Sequence, residues 1–263
     1  SFCYSKITRN MQKCILIMPN TQISEQRLRN QHITAPSLMR AADVVQWLVA
    51  VQAQDFAGAK WALGLRMVGA TDTNVEQAFT DGAVLRTHLL RPTWHFVAAA
   101  DIRWLLALTA PRVHAANALY YRKVGLDADL TRRTQDALIQ ALQGNKQLTR
   151  DELRDVLAAA GIDGSVDLRM VYILMRAELD GVICSGARRG KQFTYALLDE
   201  RVAPMPHVSR EEALVELTRR NFLSRGPATE HDFAKWSGLT VADARRGLEE
   251  ARSHLHPEVI GGM

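Results

Sequence analysis

Apolar residues recur at helical spacing through most of this chain. Val44, Val45, Leu48, Val49 and Val51 mark a helix over residues 42–53. Trp61, Leu63, Leu65 and Met67 mark another over 57–68, with Trp61 read as core. The same period predicts helices over 74–80, 100–108, 111–123, 131–143, 150–160 and 167–180. Thr149-Arg-Asp-Glu152 and Ser209-Arg-Glu-Glu212 have the form of capping boxes, so helices start beside them. Alternating runs are fewer. Residues 84–90 and 93–97 flank Arg91-Pro92 and read as a hairpin. Residues 182–185 and 192–197 flank Gly186-Ala-Arg-Arg-Gly190, a second hairpin with a basic tip.

These elements repeat. Helices followed by a hairpin occupy 42–99 and again 131–198, and a third helical set opens at 209. The expected fold class is mainly α with small β-hairpins, arranged as tandem winged-helix units. They are assigned to residues 25–126, 127–207 and 208–263, after an irregular N-terminal segment over 1–24. In a winged helix the third helix can enter a DNA major groove while the hairpin touches the backbone. Such units also serve only to pack against proteins, and the pattern leaves both uses open.

Composition narrows the class. The 263 residues are 47% hydrophobic and 23% charged, as in a globular protein, and a net charge of +5 permits nucleic-acid binding without requiring it. Cys3, Cys14 and Cys184 have no metal-ligand spacing, and their odd number argues against a disulfide framework. That cysteine usage fits a reduced cytoplasmic setting, and Cys14-Ile-Leu-Ile-Met18 is too short for a membrane span or a signal sequence. The chain lacks a Gly-rich phosphate loop, a Cys/His metal cluster and a Gly-x-Ser-x-Gly elbow. It starts at Ser1 rather than Met and stops as a strand begins near residue 255, which reads as a fragment of something longer.

One pair of side chains stands out. Gln52 and Gln54 lie one residue apart where an apolar helix should end. A glutamine amide donates and accepts but does not titrate. Two residues apart on a helix, these amides would point about 200° from each other. They can address one point, a water molecule or a base edge, only if the backbone leaves the helix there. A polar helix end facing solvent is the plainer alternative.

Four separate stretches then resemble one family. Val51-Gln-Ala-Gln-Asp55, Arg86-Thr-His-Leu-Leu-Arg-Pro-Thr-Trp-His-Phe-Val97, Ala177-Glu-Leu-Asp-Gly181 and Gly226-Pro-Ala-Thr-Glu-His-Asp-Phe-Ala-Lys-Trp-Ser-Gly-Leu239 are similar, in order, to the AlkZ-like winged-helix family. The resemblance covers roughly residues 22–263. It implies a bacterial DNA-repair protein, a monofunctional glycosylase that removes bulky alkylated purines and unhooks crosslinks, working without metal or organic cofactor on damaged double-stranded DNA near the nucleoid. It places the catalytic pair on Gln52 and Gln54, and it implies a β-rich C-terminal domain missing from this sequence. The family's enzymes carry a glycine after the arginine matched by Arg91, where this chain has Pro92, so a different loop geometry is expected.

That chemistry suits the residues. A purine alkylated on a ring nitrogen is already cationic and leaves without a strong acid, so the protein has mainly to place water and stabilise an oxocarbenium-like sugar. Two amides can hold one water, as a glutamine does in some GTPases. Asp55 is read as a helix cap. Arg86 and Arg91 are candidate phosphate ligands, and Arg188, Arg189 and Lys191 candidate backbone contacts on the second hairpin. His95 is read either as a contact near the lesion or as a core histidine, with Trp94 on the opposite face of the hairpin. The competing function is a non-catalytic winged-helix regulator that reads DNA through the helix at 167–180. A scaffold whose units bind proteins is the third.

Overall fold

A computed structural model describes residues 3–6, 20–164 and 166–258. In chain order the elements are β1 (Cys3–Lys6), α1 (Asn20–Asn30), α2 (Ala41–Leu48), β2 (Ala50–Gln52), α3 (Phe56–Gly64), α4 (Asp72–Thr80), β3 (Val84–Leu89) and β4 (Thr93–Ala98). Next come α5 (Ile102–Lys123), α6 (Ala128–Leu142), β5 (Leu148–Thr149), α7 (Arg150–Ala159), α8 (Asp167–Leu179), β6 (Ile183–Ser185), β7 (Thr194–Leu197) and α9 (Leu198–Arg201). The last are α10 (Arg210–Arg225), α11 (Glu230–Ser237), α12 (Val241–Glu250) and β8 (Leu255–Glu258). The protein is mainly helical with small antiparallel sheets.

Two stretches share one order: helix, short strand, two helices, hairpin. In each, the short strand pairs with the second hairpin strand, giving sheets ordered β2-β4-β3 and β5-β7-β6. Both hairpins fall where alternation placed them. The short strands β2 and β5 escaped the sequence reading, because three and two residues are too few to show a period of two. A third helical set, α10 to α12, leads into β8, which pairs with β1. Residues 3–6 are therefore a strand within the segment expected to be irregular, and α1 begins inside it as well.

Helix starts follow the local signals. Thr149 and Ser209 form reciprocal capping boxes with Glu152 and Glu212, and Thr229–Asp232 and Thr240–Asp243 repeat the device with aspartate. Helix ends were less legible. The pattern gives two helices, 100–108 and 111–123, but α5 runs continuously through both with Pro111 inside it. A proline inside a helix costs about 3 kcal/mol. Ten buried side chains of α5, packed on β3, α8 and α10, outweigh it.

The core explains why the three helical sets hold together. One cluster lies within α2, α3, α4 and the Phe96 face of the first sheet, and another within α6, α7, α8 and the second sheet. The largest joins Leu85, Leu89 and Val97 on the opposite face of the first sheet to α5 and to Leu217, Phe222 and Phe233 of the last set. The first sheet is thus covered on both faces.

Candidate active site

The helix predicted over 42–53 stops at Leu48. Val49 is buried with φ 67° and ψ −54°, and the chain then enters β2. For a β-branched residue a positive φ is a genuine outlier, with a cost of about 1–3 kcal/mol that the surroundings must sustain. The break settles the geometry of the two glutamines. Gln52 ends β2 opposite His95, and the ladder continues one residue further, with Ala53 N donating to Trp94 O at 2.8 Å. Alternate residues of an extended chain share a face. Gln52 and Gln54 accordingly are both exposed, and Ala53 between them is buried.

Each amide has a distinct setting. Gln54 Oε1 accepts from Trp94 N at 3.4 Å, a side chain continuing the strand ladder where the main chain leaves it. Asp55 caps α3 as expected, accepting from Gly58 N at 3.1 Å. His95, cross-strand from Gln52, lies on the same face of the sheet and is only 2% exposed. Its Nδ1–H donates to the carbonyl of Thr93 at 2.9 Å, which leaves Nε2 as an acceptor. Burial pushes its pKa down to about 4, opposed by the Thr93 bond and aided by the charges of Arg91 and Arg225. At neutral pH the ring is uncharged.

A stability consequence follows. Between pH 6.5 and about 4 the unfolded chain protonates His95 while the folded chain does not, so the unfolded state binds more protons and stability falls as pH falls. The shift corresponds to on the order of 3 kcal/mol, complete once the pH is below about 4. Urea unfolding at pH 7, 5.5 and 4.5 is expected to show a shallower acid loss in His95→Asn than in the parent. Parallel curves for the two proteins would remove His95 from the account.

The expected DNA ligands divide sharply. Arg86 is 7% exposed and serves the protein: its Nε donates to Ala53 O at 3.0 Å, and its guanidinium lies between Trp94 (4.0 Å) and Phe193 (4.5 Å). Its guanidinium, expected as a phosphate ligand, is held inside the protein in this structure. Arg188 is partly withdrawn as well, 3.4 Å from Glu76 and stacked over Phe56 at 4.8 Å. Arg189 is exposed but bonded to Glu152 at 2.7 Å and to the carbonyl of Gln147. Arg91 is half-buried at the tip of the first hairpin, and Lys191 is exposed with no ion pair among the described residues. Trp94 is half-buried against Arg86 and His88, on the face opposite His95. Trp61, expected in the core, is 72% exposed, because Ala59 and Leu63 supply the buried side of α3 and residue 61 falls opposite them.

The helix proposed to read DNA, α8, is packed. Met170, Ile173, Leu174, Met175, Ala177, Glu178 and Leu179 are all buried, against α5, α6 and the first sheet. Glu178 reaches His88 of β3 in a buried pair, and Ser185 Oγ accepts from Arg86 N at 2.8 Å. The first turn of α8 is exposed, and Val171, Tyr172 and Arg176 further along are half-buried.

Comparison with known proteins agrees with this architecture. The profile of the family described as DNA glycosylase AlkZ-like matches residues 45–260, and the chain belongs to that family. The interstrand DNA cross-link repair glycosylase of Streptomyces sahachiroi is 27% identical over 231 residues, 83% of this chain and 60% of that protein. The chain thus spans about 60% of the length of the curated relative it matches. The solved structure of Streptomyces sahachiroi DNA glycosylase AlkZ superimposes with a TM-score of 0.74 at 22% identity, over 93% of this chain and 70% of that one, a likeness of fold. Among the described residues no three His, Cys, Asp or Glu side chains converge as metal ligands, and no helix is long and apolar enough to cross a membrane.

Proposed function

We propose that this protein is a DNA-repair glycosylase that hydrolyses the N-glycosidic bond of bulky alkylated or crosslinked purines in double-stranded DNA. The observation that carries the reading is the shared, exposed face of Gln52 and Gln54 beside the uncharged ring of His95. Gln54 Oε1, tethered by Trp94 N, keeps acceptor capacity for one O–H of a water, and the exposed Gln52 amide completes its orientation. The water oxygen bonds to the sugar C1′ as the C1′–N9 bond breaks with its electron pair going to the base. An N7-alkylated purine cation thereby departs neutral. The water proton passes to solvent, and no metal or organic cofactor enters the scheme.

The two sheet-bearing stretches and the final helical set act as tandem winged helices in this reading, with Lys191 and Arg189 of the second wing against phosphates. The exposed setting of the glutamines suits a lesion too large for a closed pocket. The test uses the full-length protein and a duplex carrying a single bulky N7-alkylguanine, with release of the free base measured against an undamaged duplex. Binding of both duplexes without release would sink the proposal and favour a non-catalytic regulator.

A further inference from the structure

The strand that carries the glutamines is held at both ends by guanidinium groups from other parts of the fold. At its entry, Arg225 donates from Nη1 to Leu48 O at 2.6 Å and from Nη2 to Ala50 O at 2.9 Å, the two carbonyls that flank the strained Val49. Arg225 is the last residue of α10 and stacks on Trp236 of α11 at 4.4 Å. One turn earlier, Arg220 donates to Gln46 O while paired with Asp101. Through Gln46 O and Leu48 O they place positive charge on the carbonyls at the C-terminal end of α2, where the helix dipole favours it. At the strand's exit, Arg86 donates to the carbonyl of Ala53, between the two glutamines, and its guanidinium is gripped by Phe193 beside the second wing.

Neither Arg86 nor Arg225 forms an ion pair among the described residues, whereas most arginines elsewhere on the surface do. Burial lowers both, Arg225 to about 9 with the nearby charge of Arg66 contributing. Withdrawing two unpaired arginines from water serves a purpose if their forks are needed on main-chain oxygens. The planar fork can hold two carbonyls at fixed spacing, which the single ammonium of lysine cannot.

We propose that Arg225 and Arg86 are positioning residues for Gln52 and Gln54: Arg225 pins the two carbonyls around Val49, Arg86 pins the carbonyl between the glutamines, and the site is complete only when the second wing and α10 are docked on the first sheet. This deepens the glycosylase reading and rests on it. A displacement of about 1 Å in a group that orients a reactant can cost about 10²-fold in rate.

The experiment compares Arg225→Lys and Arg86→Lys with the parent in the full-length protein, on the duplex bearing a bulky N7-alkylguanine. Each lysine keeps the charge and loses the fork. Single-turnover base release is expected to fall by about 30- to 100-fold, with the DNA dissociation constant changed by less than about twofold. Hydrogen exchange of the amides over residues 48–56 is expected to speed up, while α6, α7 and α12 keep the parental rates. Wild-type release in both variants overturns the proposal. So does a loss of DNA affinity with a reduced salt dependence, which would make these arginines phosphate ligands, or faster exchange throughout the chain, which would make them general supports of the fold. If the parent itself releases no base, the glycosylase reading fails, and exchange over 48–56 alone judges the clamp: faster there sustains it, unchanged ends it.

Discussion

Gln52→Ala and Gln54→Ala are each expected to lower single-turnover base release by about 10²- to 10³-fold, the usual loss when one preorganised polar group is removed from a reacting centre. Affinity for the same duplex is expected to stay within about twofold, because neutral amides on a strand add little to binding dominated by phosphate contacts. The double variant is expected to be no worse than the poorer single one. Two amides that hold one water act as a unit, and losing either releases it. Gln54→Ala carries a second effect: it frees Trp94 N from its side-chain acceptor, so the end of β4 should exchange faster than in Gln52→Ala. Full release by both single variants would remove the glutamines from the chemistry, whatever the fold.

The second large effect concerns the joint between the first hairpin and the last helical set. Gly238 ends α11 with φ 73°, and a β-carbon there would lie 2.5 Å from the carbonyl oxygen of Leu90 and 3.2 Å from Arg91 Cγ. Leu90 cannot easily yield, because it holds a positive φ itself at the hairpin turn. Gly238 also offers its carbonyl to Arg112 Nε at 2.7 Å. Gly238→Ala is expected to cost at least about 3 kcal/mol, the sum of the left-handed penalty and overpacking against fixed backbone. Gly69, with φ 66° and nothing within 4 Å of its β-carbon position, isolates the first term, and Gly69→Ala is expected to cost about 1 kcal/mol. Urea unfolding of the two variants checks the difference. Equal losses would mean that contact with Leu90 is not what makes residue 238 a glycine.

Much of the architecture was legible along the chain. Leu153 and Leu157, or Val44, Val45 and Leu48, lie on one helical face because their spacing allows nothing else, and they are buried. The Thr149 and Ser209 caps are local chemistry between residues three apart. Long-range effects were hidden. The two helices read at 100–108 and 111–123 are one, because the packing of α5 on three sides keeps the helix whole through Pro111. Arg86 looks like any basic residue of a hairpin, and nothing in its neighbours announces Phe193, 107 positions later, as its stacking partner. Trp61 looked apolar enough for the core, but its period places it opposite Ala59 and Leu63.

The sequence by itself determined that this is a mainly helical chain with two hairpins, and it singled out Gln52 and Gln54 as a pair needing a broken helix to converge. Only the tertiary structure decided that the helix breaks, at Val49. A β-branched residue would not choose that conformation from its local energetics. The carbonyls on either side are held by Arg225, and β2 is held by pairing with β4, both from far along the chain. Hydrogen bonds of that reach leave no period and no spacing in the sequence, since they depend on how whole elements dock and not on which residues are neighbours.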